Sequence, residues 1–224
     1  MNKTRLRIRF SKTGDLRWIG HLDLARLWER MLRRAGLKLA FSEGFHPKPK
    51  INFPSALALG IEGLNEVVEL EIIGHVDLPQ TQTDIASQMP AGMQLLSISC
   101  PDFATGKVRV RSSTYRIRIP SEHVALVESS IGELLSSTGV TIDREGKLIE
   151  CDPRDGIFQV WLEDDLLHFT LPTLARASIR PSELLNLLGL PSLLESGEIL
   201  QRVSIDVNDT TQPDAQRDKQ VIEQ

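Results

Sequence analysis

From Thr4 to Ser11 apolar and basic residues alternate strictly, with Leu6, Ile8 and Phe10 facing one way and Arg5, Arg7 and Arg9 the other. This period of two predicts a half-buried strand with one core face and one cationic face. After a turn at Lys12 to Gly14 the spacing becomes helical. Over residues 20–35, at about 100° per residue, Leu24, Leu27, Trp28, Met31, Leu32 and Ala35 share one arc, while Arg26, Arg30, Arg33 and Arg34 share the other. Gly36 is the expected C-cap, and Leu37 to Phe41 reads as the next strand. A loop rich in Gly and Pro, Ser42 to Lys50, leads into an extended apolar segment through Leu59 and a turn at Gly60. Val67 to Ile73 reads as a strand, Gln80 to Gln88 as a short helix between Pro79 and Pro90, and Met93 to Ser99 as a strand. The order strand, helix, strand, strand, helix, strand is that of a ferredoxin-like (split βαβ) unit, an antiparallel sheet with helices on one face.

Pro101 to Lys107 reads as a linker, after which the order restarts. Tyr115 to Ile119 (YRIRI) echoes Leu6 to Phe10 (LRIRF), and Ser121 to Ser136 follows a break at Pro120 as a helix with Ser121 as N-cap. Leu148 to Cys151, Ile157 to Glu163 and Leu166 to Leu171 read as strands, the last two a hairpin over Asp164. Pro181 opens a helix through Leu188, and Ile199 to Val207 closes as a strand. The expected fold class is therefore α+β, with two tandem ferredoxin-like domains at 1–103 and 107–207. A tail at 208–224, poor in apolar residues, is expected to be disordered.

The net charge of −4 over 224 residues hides a gradient. Residues 1–50 hold 13 Lys and Arg against 4 Asp and Glu, whereas residues 51–100 contain no Lys or Arg. Residues 10–53 also hold six of the eleven aromatic residues, Phe10, Trp18, Trp28, Phe41, Phe45 and Phe53. Cations neutralise phosphate, and aromatic or guanidinium planes stack on unpaired bases, so nucleic acid is the leading partner class. The expected binding set is Arg5, Arg7, Arg9, Arg17, Arg26, Arg30, Arg33, Arg34, His46, Lys48 and Lys50. Asp23 and Glu29 lie close enough to make part of the helical stripe an ordinary ion-paired surface. Phe10 belongs to the core by parity, so the first sheet would meet RNA by charge and not by stacking. The loop 42–50, stiffened by Pro47 and Pro49 and turned at Gly44, would present Phe45, His46, Lys48 and Lys50 in fixed order. Its alternative is a rigid crossover.

His21 could act as a general base in cleavage of RNA through the 2′-hydroxyl, or it could simply cap the helix with Asp23. His21, Asp23, Glu43 and His46 have the types of metal ligands, but no spacing enforces a site and no metal is assigned. Arg176 and Arg180 precede the Pro181 helix, where an anion site or plain helix entry would serve equally. Cys100 and Cys151 are far apart and are read as buried thiols. No Walker loop, dinucleotide fingerprint, nucleophile elbow or Cys-x-x-x-Cys-x-x-Cys occurs, which removes support for nucleotide hydrolysis, dinucleotide redox chemistry and an intrinsic radical cluster. With no run of about 18 apolar residues and no signal peptide, a soluble cytoplasmic protein without membrane contact is expected.

Four stretches carry a family resemblance: Lys12 to Asp23 (KTGDLRWIGHLD), Arg33 to Leu37 (RRAGL), Phe41 to Pro49 (FSEGFHPKP) and Ala58 to Glu62 (ALGIE). Together they resemble the radical SAM-linked protein family, a domain of unknown function found alone or fused behind radical SAM proteins with a cobalamin-binding-type domain, often encoded beside ribonuclease E/G. The resemblance is most specific over residues 3–75. It implies a stand-alone accessory protein with no cofactor of its own. The radical SAM partner, on a separate chain, would carry the iron–sulfur cluster and S-adenosylmethionine, and the ribonuclease E/G pathway is a further implied association. A looser architectural likeness is to CRISPR RNA-processing endonucleases, which pair ferredoxin-like domains and sometimes place a His near the first helix, comparable in place to His21, though their Gly-rich loop has no clear counterpart here. The sequence thus supports an RNA-binding accessory protein for tRNA or rRNA metabolism. Its alternatives are a metal-independent endonuclease using His21 and a protein-interaction adaptor.

Overall fold

A computed structural model describes residues 2–173 and 178–208. Its elements in chain order are β1 (Lys3–Lys12), α1 (His21–Arg34), β2 (Ile51–Asn52), β3 (Glu62–Ile73), α2 (Leu78–Ser87), β4 (Met93–Ser99), β5 (Val110–Arg118), α3 (Ser121–Ser136), β6 (Val140–Arg144), β7 (Lys147–Cys151), α4 (Pro153–Gly156), β8 (Gln159–Glu163), β9 (Leu166–Pro172), α5 (Pro181–Leu187) and β10 (Gln201–Val207). Short 3-10 turns occupy Gly14–Trp18 and Phe103–Thr105. The fold is mixed α+β, with five α-helices among the described residues. One large, mostly antiparallel sheet runs β4-β1-β3-β10-β5-β9-β8, with β2 also paired to β3 and β6-β7 forming a separate hairpin.

β3 is the hinge of this arrangement. One edge pairs with β1 through register pairs such as Arg5↔Glu71 and Arg7↔Glu69. Its other edge is shared: β2 takes Leu70 and Glu69, while β10 runs parallel to it at Gln201↔Glu62 and Arg202↔Gly63. The parallel contact makes one continuous sheet where two separate sheets were expected.

The alternation in β1 decides the layers. Leu6, Ile8 and Phe10 are buried with Val68, Leu70 and Ile72 of β3 beneath Leu24, Trp28, Met31 and Leu32 of α1 and Ile85 of α2. In the C-terminal half Tyr115, Ile117, Leu167, Phe169 and Leu171 are buried under Val127 and Leu134 of α3 and Leu184 and Leu185 of α5. A small third cluster, Val67, Val108, Ile205 and Val207, lies where the halves meet.

Several boundaries differ from the sequence expectation. β3 begins at Glu62, five residues early, because Glu62 and Glu66 interrupt its apolar pattern yet are buried. Leu37 to Phe41 forms only the isolated bridges Leu39↔Ile72 and Phe41↔Pro49. The N-cap of α3 is Pro120, with Ser121 its first residue, and α1 is capped by Ala35 with Gly36 following at φ 77°. β6 is a strand the pattern did not reveal, and Cys100 is exposed while Cys151 is buried. The expected tail, from residue 209 onward, lies outside the described residues. No helix among the described residues is long and apolar enough to cross a membrane.

Candidate nucleic-acid interface

α1 forms because its apolar residues recur at helical spacing and its polar ones do not interrupt them. Trp28 is fully buried and meets Phe10 edge-on at 4.9 Å, which fixes the roll of the helix and turns its arginines outward. Arg26 pairs with Asp23 at 3.2 Å and Arg33 with the half-buried Glu29 at 2.7 Å, each one turn apart on the arginine side. Arg30 and Arg34 are exposed, and their side chains make no hydrogen bond or ion pair among the described residues. A shallow depression of about 350 Å³ is lined by Arg26, Glu29, Arg30 and Arg33. The surface pairs are individually weak, so a phosphate can compete for either arginine, and two cations need no competitor displaced.

Beside the C-terminal end of α1 the chain leaves the sheet at Ala40 and returns at Lys50. The Ala40 amide donates to Glu71 O at 2.8 Å and the Glu71 amide to Lys50 O at 3.0 Å. The Lys50 amide closes the neck by donating to Ala40 O at 2.8 Å. Residues 41–49 therefore form a pinched excursion from the sheet edge. The Ser42 amide donates to Lys48 O at 2.9 Å, and the Lys48 amide to Ser42 Oγ at 3.0 Å. Glu43, Phe45, His46 and Lys48 are exposed at and beside its tip, and the Arg33 guanidinium lies 6.0 Å over the Phe41 ring, joining the excursion to α1.

The strand arginines are placed differently from the expected open cationic face. Arg7 is buried and paired with Glu69 at 2.9 Å. Arg5 donates to Gly106 O at 2.5 Å and lies 4.7 Å over Phe103, so it fastens the segment after β4 across the sheet. Arg9 donates to Asn65 Oδ1 at 3.1 Å, and Lys50 pairs with Glu71 at 2.9 Å. Arg5, Lys50 and Lys107 share a cavity of about 260 Å³ with Glu69 and Glu71. Alternation identified the face correctly but not what covers it. Arg17 donates to Gly14 O at 3.1 Å and lies 5.1 Å over the exposed Trp18.

His21, exposed as the first residue of α1, stands edge-on to Phe53 at 5.4 Å, while the Asp23 carboxylate is engaged by Arg26. Among the described residues no three His, Cys, Asp or Glu side chains gather as metal ligands. Arg176 lies outside the described residues. At the start of α5 the Arg180 amide donates to Glu183 at 2.7 Å, so the anion there is the protein's own carboxylate. Burial pushes the Glu183 carboxyl up, but hydrogen bonds from Arg144 and from the Arg180 amide outweigh it and hold it below the usual range.

Two clusters were absent from the sequence reading. The first joins the halves. Arg202, 2% exposed at its side chain, pairs with the equally sequestered Glu66 at 2.5 Å and donates to Ser55 Oγ at 2.9 Å. Glu62 accepts from the Gly14 amide and from Gln201, both at 2.8 Å. Lys12 is buried beside this pair, without a side-chain hydrogen bond or ion pair of its own among the described residues. Burial pushes its pKa down, Glu66 partly offsets this, and Arg202 adds to the depression. Gly63 serves the same joint, because a Cβ there would come within 2.4 Å of Glu66 Cγ. A usable signal existed: four glutamates within a strand, in a stretch free of Lys and Arg, must be neutralised from elsewhere.

The second cluster is on the C-terminal half, where Trp161 stacks on His168 at 5.0 Å and 14°. Burial lowers the His168 pKa, Glu163 opposes the shift, and Arg116 reinforces it. Period-two parity on β8 and β9 could have paired these rings.

Residues 5–181 match a family described as "Uncharacterized protein conserved in bacteria (DUF2344)". No curated protein matches the chain. A solved structure, of an unknown protein from Galdieria sulphuraria, aligns with 92% of this chain and 99% of its own at 9% identity and a TM-score of 0.31.

Proposed function

This chain belongs to the DUF2344 family of conserved bacterial proteins, and from that premise we propose that it binds structured RNA, tRNA or rRNA, along α1 and the 41–49 excursion. The observation that carries this reading is the solvent face of α1: four arginines, two of them with no counter-charge among the described residues, continuous through Arg33 and Phe41 with Lys48 and His46. A polyanion supplies the missing charge and releases its own counterions. The buried Arg7 and the engaged Arg5 act in this reading as structural groups that hold the strands and the segment after β4.

The protein acts as an accessory to a radical SAM enzyme on another chain, which brings the iron–sulfur cluster and S-adenosylmethionine. Support for the partner is the motif resemblance over residues 3–75, and the ribonuclease E/G pathway enters on the same ground. Two ferredoxin-like units, 1–103 and 107–207, are the matching description of the fold. In support, the first half orders its strands β4-β1-β3-β2 and the second β10-β5-β9-β8, the same relative order.

The test is RNA binding by the purified protein across a salt series. Arg30→Ala and Arg34→Ala should each flatten the plot of log affinity against log salt by about one unit. Absence of binding at low salt, or a slope untouched by both substitutions, rejects the reading.

A further inference from the structure

Phe45 is fully exposed, at 102% of the reference area for its residue type, in a chain whose other aromatic rings are at least partly covered. Its placement is not the result of a loose loop. Four constraints hold the excursion: the closed neck at Ala40 and Lys50, the reciprocal Ser42 and Lys48 bonds, the Phe41↔Pro49 bridge, and the fixed φ angles of Pro47 and Pro49. A ring offered on so constrained a support loses little freedom when it is covered, which is the condition for tight use of one contact.

The surroundings of the ring indicate what covers it. Glu43, His46 and Lys48 flank it, and the base of the excursion meets Arg33, beyond which lie Arg30 and Arg34. An apolar protein pocket closing on Phe45 would have to desolvate Lys48 and His46 as well. A nucleotide removes that conflict, since its base takes the ring and its phosphates take the cations. Phe has no donor or acceptor, so such a contact selects an unpaired base over a paired one without selecting which base.

We propose that the 41–49 excursion is a stacking prong whose Phe45 ring takes an unpaired nucleobase of an RNA held along α1; this rests on the RNA-binding reading above and names the kind of RNA. Duplex phosphates lie on the arginine face, and a bulged or terminal nucleotide reaches the ring.

The experiment uses the full chain and two RNA hairpins of the same stem, one continuous and one with a single-nucleotide bulge, in fluorescence anisotropy across a salt series. The wild type should prefer the bulged RNA by about tenfold, the order of one base–aromatic stack. Phe45→Ala should lose that preference with its salt slope unchanged, and Phe45→Trp should keep it. Because the ring packs against nothing, an unchanged melting temperature for Phe45→Ala separates lost stacking from lost folding. Equal binding of both RNAs by the wild type, or an undiminished preference in Phe45→Ala, overturns the prong while the Arg30 and Arg34 salt effect leaves the parent reading intact. Absence of salt-dependent binding in the wild type overturns both. A Phe45→Ala protein that binds both RNAs normally but loses a nuclease-resistant protein partner overturns the prong in favour of protein docking.

Discussion

The two halves of this molecule begin alike and end unlike. Each opens on a strand alternating Arg with apolar residues, LRIRF in β1 and YRIRI in β5, and each follows it with a helix laid over the apolar face. On the opposite face they diverge. In the first half Arg7 is buried against Glu69 and Arg5 holds the segment after β4. In the second, Arg116 donates to Gln201 at 2.7 Å, Arg118 engages Asp165, and the Trp161–His168 stack lies on neighbouring strands. The helices differ more. α1 carries four arginines, whereas α3 carries Glu122, Glu128 and Glu133 with no Lys or Arg. The strand pattern is repeated because the sheet requires it. The outer helix face packs against nothing, so its charge was free to be specialised, and only one half acquired a cationic helix.

Three substitutions test how separate the halves are. Arg202→Met should have the largest effect, a loss of about 3–5 kcal/mol in urea unfolding, because it strands the buried Glu66 carboxylate. Two resolved transitions would show that the halves stand alone once unclasped, and a loss below about 1 kcal/mol would show that this pair does not clasp them. Lys12→Met should act in the opposite direction, gaining about 1–2 kcal/mol by removing a desolvated cation that Arg202 repels, and a fall in melting temperature would instead make Lys12 an indispensable counter-charge for Glu66. The smallest effect belongs to the second half. The folded His168 pKa is depressed, so the unfolded chain takes up this proton first as pH falls below about 6.5. The associated stability is present above that pH and is lost on descent toward the depressed value. Thermal melts between pH 7 and pH 5 should show that loss in the wild type and a flatter profile in His168→Gln; identical profiles would dismiss it.

What could be read from the sequence follows from how local its cause was. α3 at 121–136 and β4 at 93–99 have the expected limits, and α1 differs by a residue at each end, because periodicity with clean breaks is a short-range property. The first five residues of β3 are not legible as strand because Glu62 and Glu66 resemble a solvated stretch until Gln201 and Arg202 arrive from a distant strand. The same reason separates the site residues. The arginines of α1 and the tip of the Pro-rich loop were visible because exposure on a helix or a turn is decided nearby. The burial of Arg7 was hidden because its partner Glu69, itself an acceptor for the Val108 amide, lies 62 residues away in the chain.

The parallel seam between β3 and β10 has a consequence for how the chain is made. The Gln201–Glu62 contact spans 139 residues. At ribosomal rates that span takes on the order of ten seconds to synthesise, during which the edge of β3 at Glu62 and Gly63 stays unpaired. Until residue 202 is made, the Glu66 carboxylate lacks the guanidinium that pairs with it in the folded protein. Lys12, on the strand already made, is a cation whose charge Glu66 favours and that precedes Arg202 in the order of synthesis.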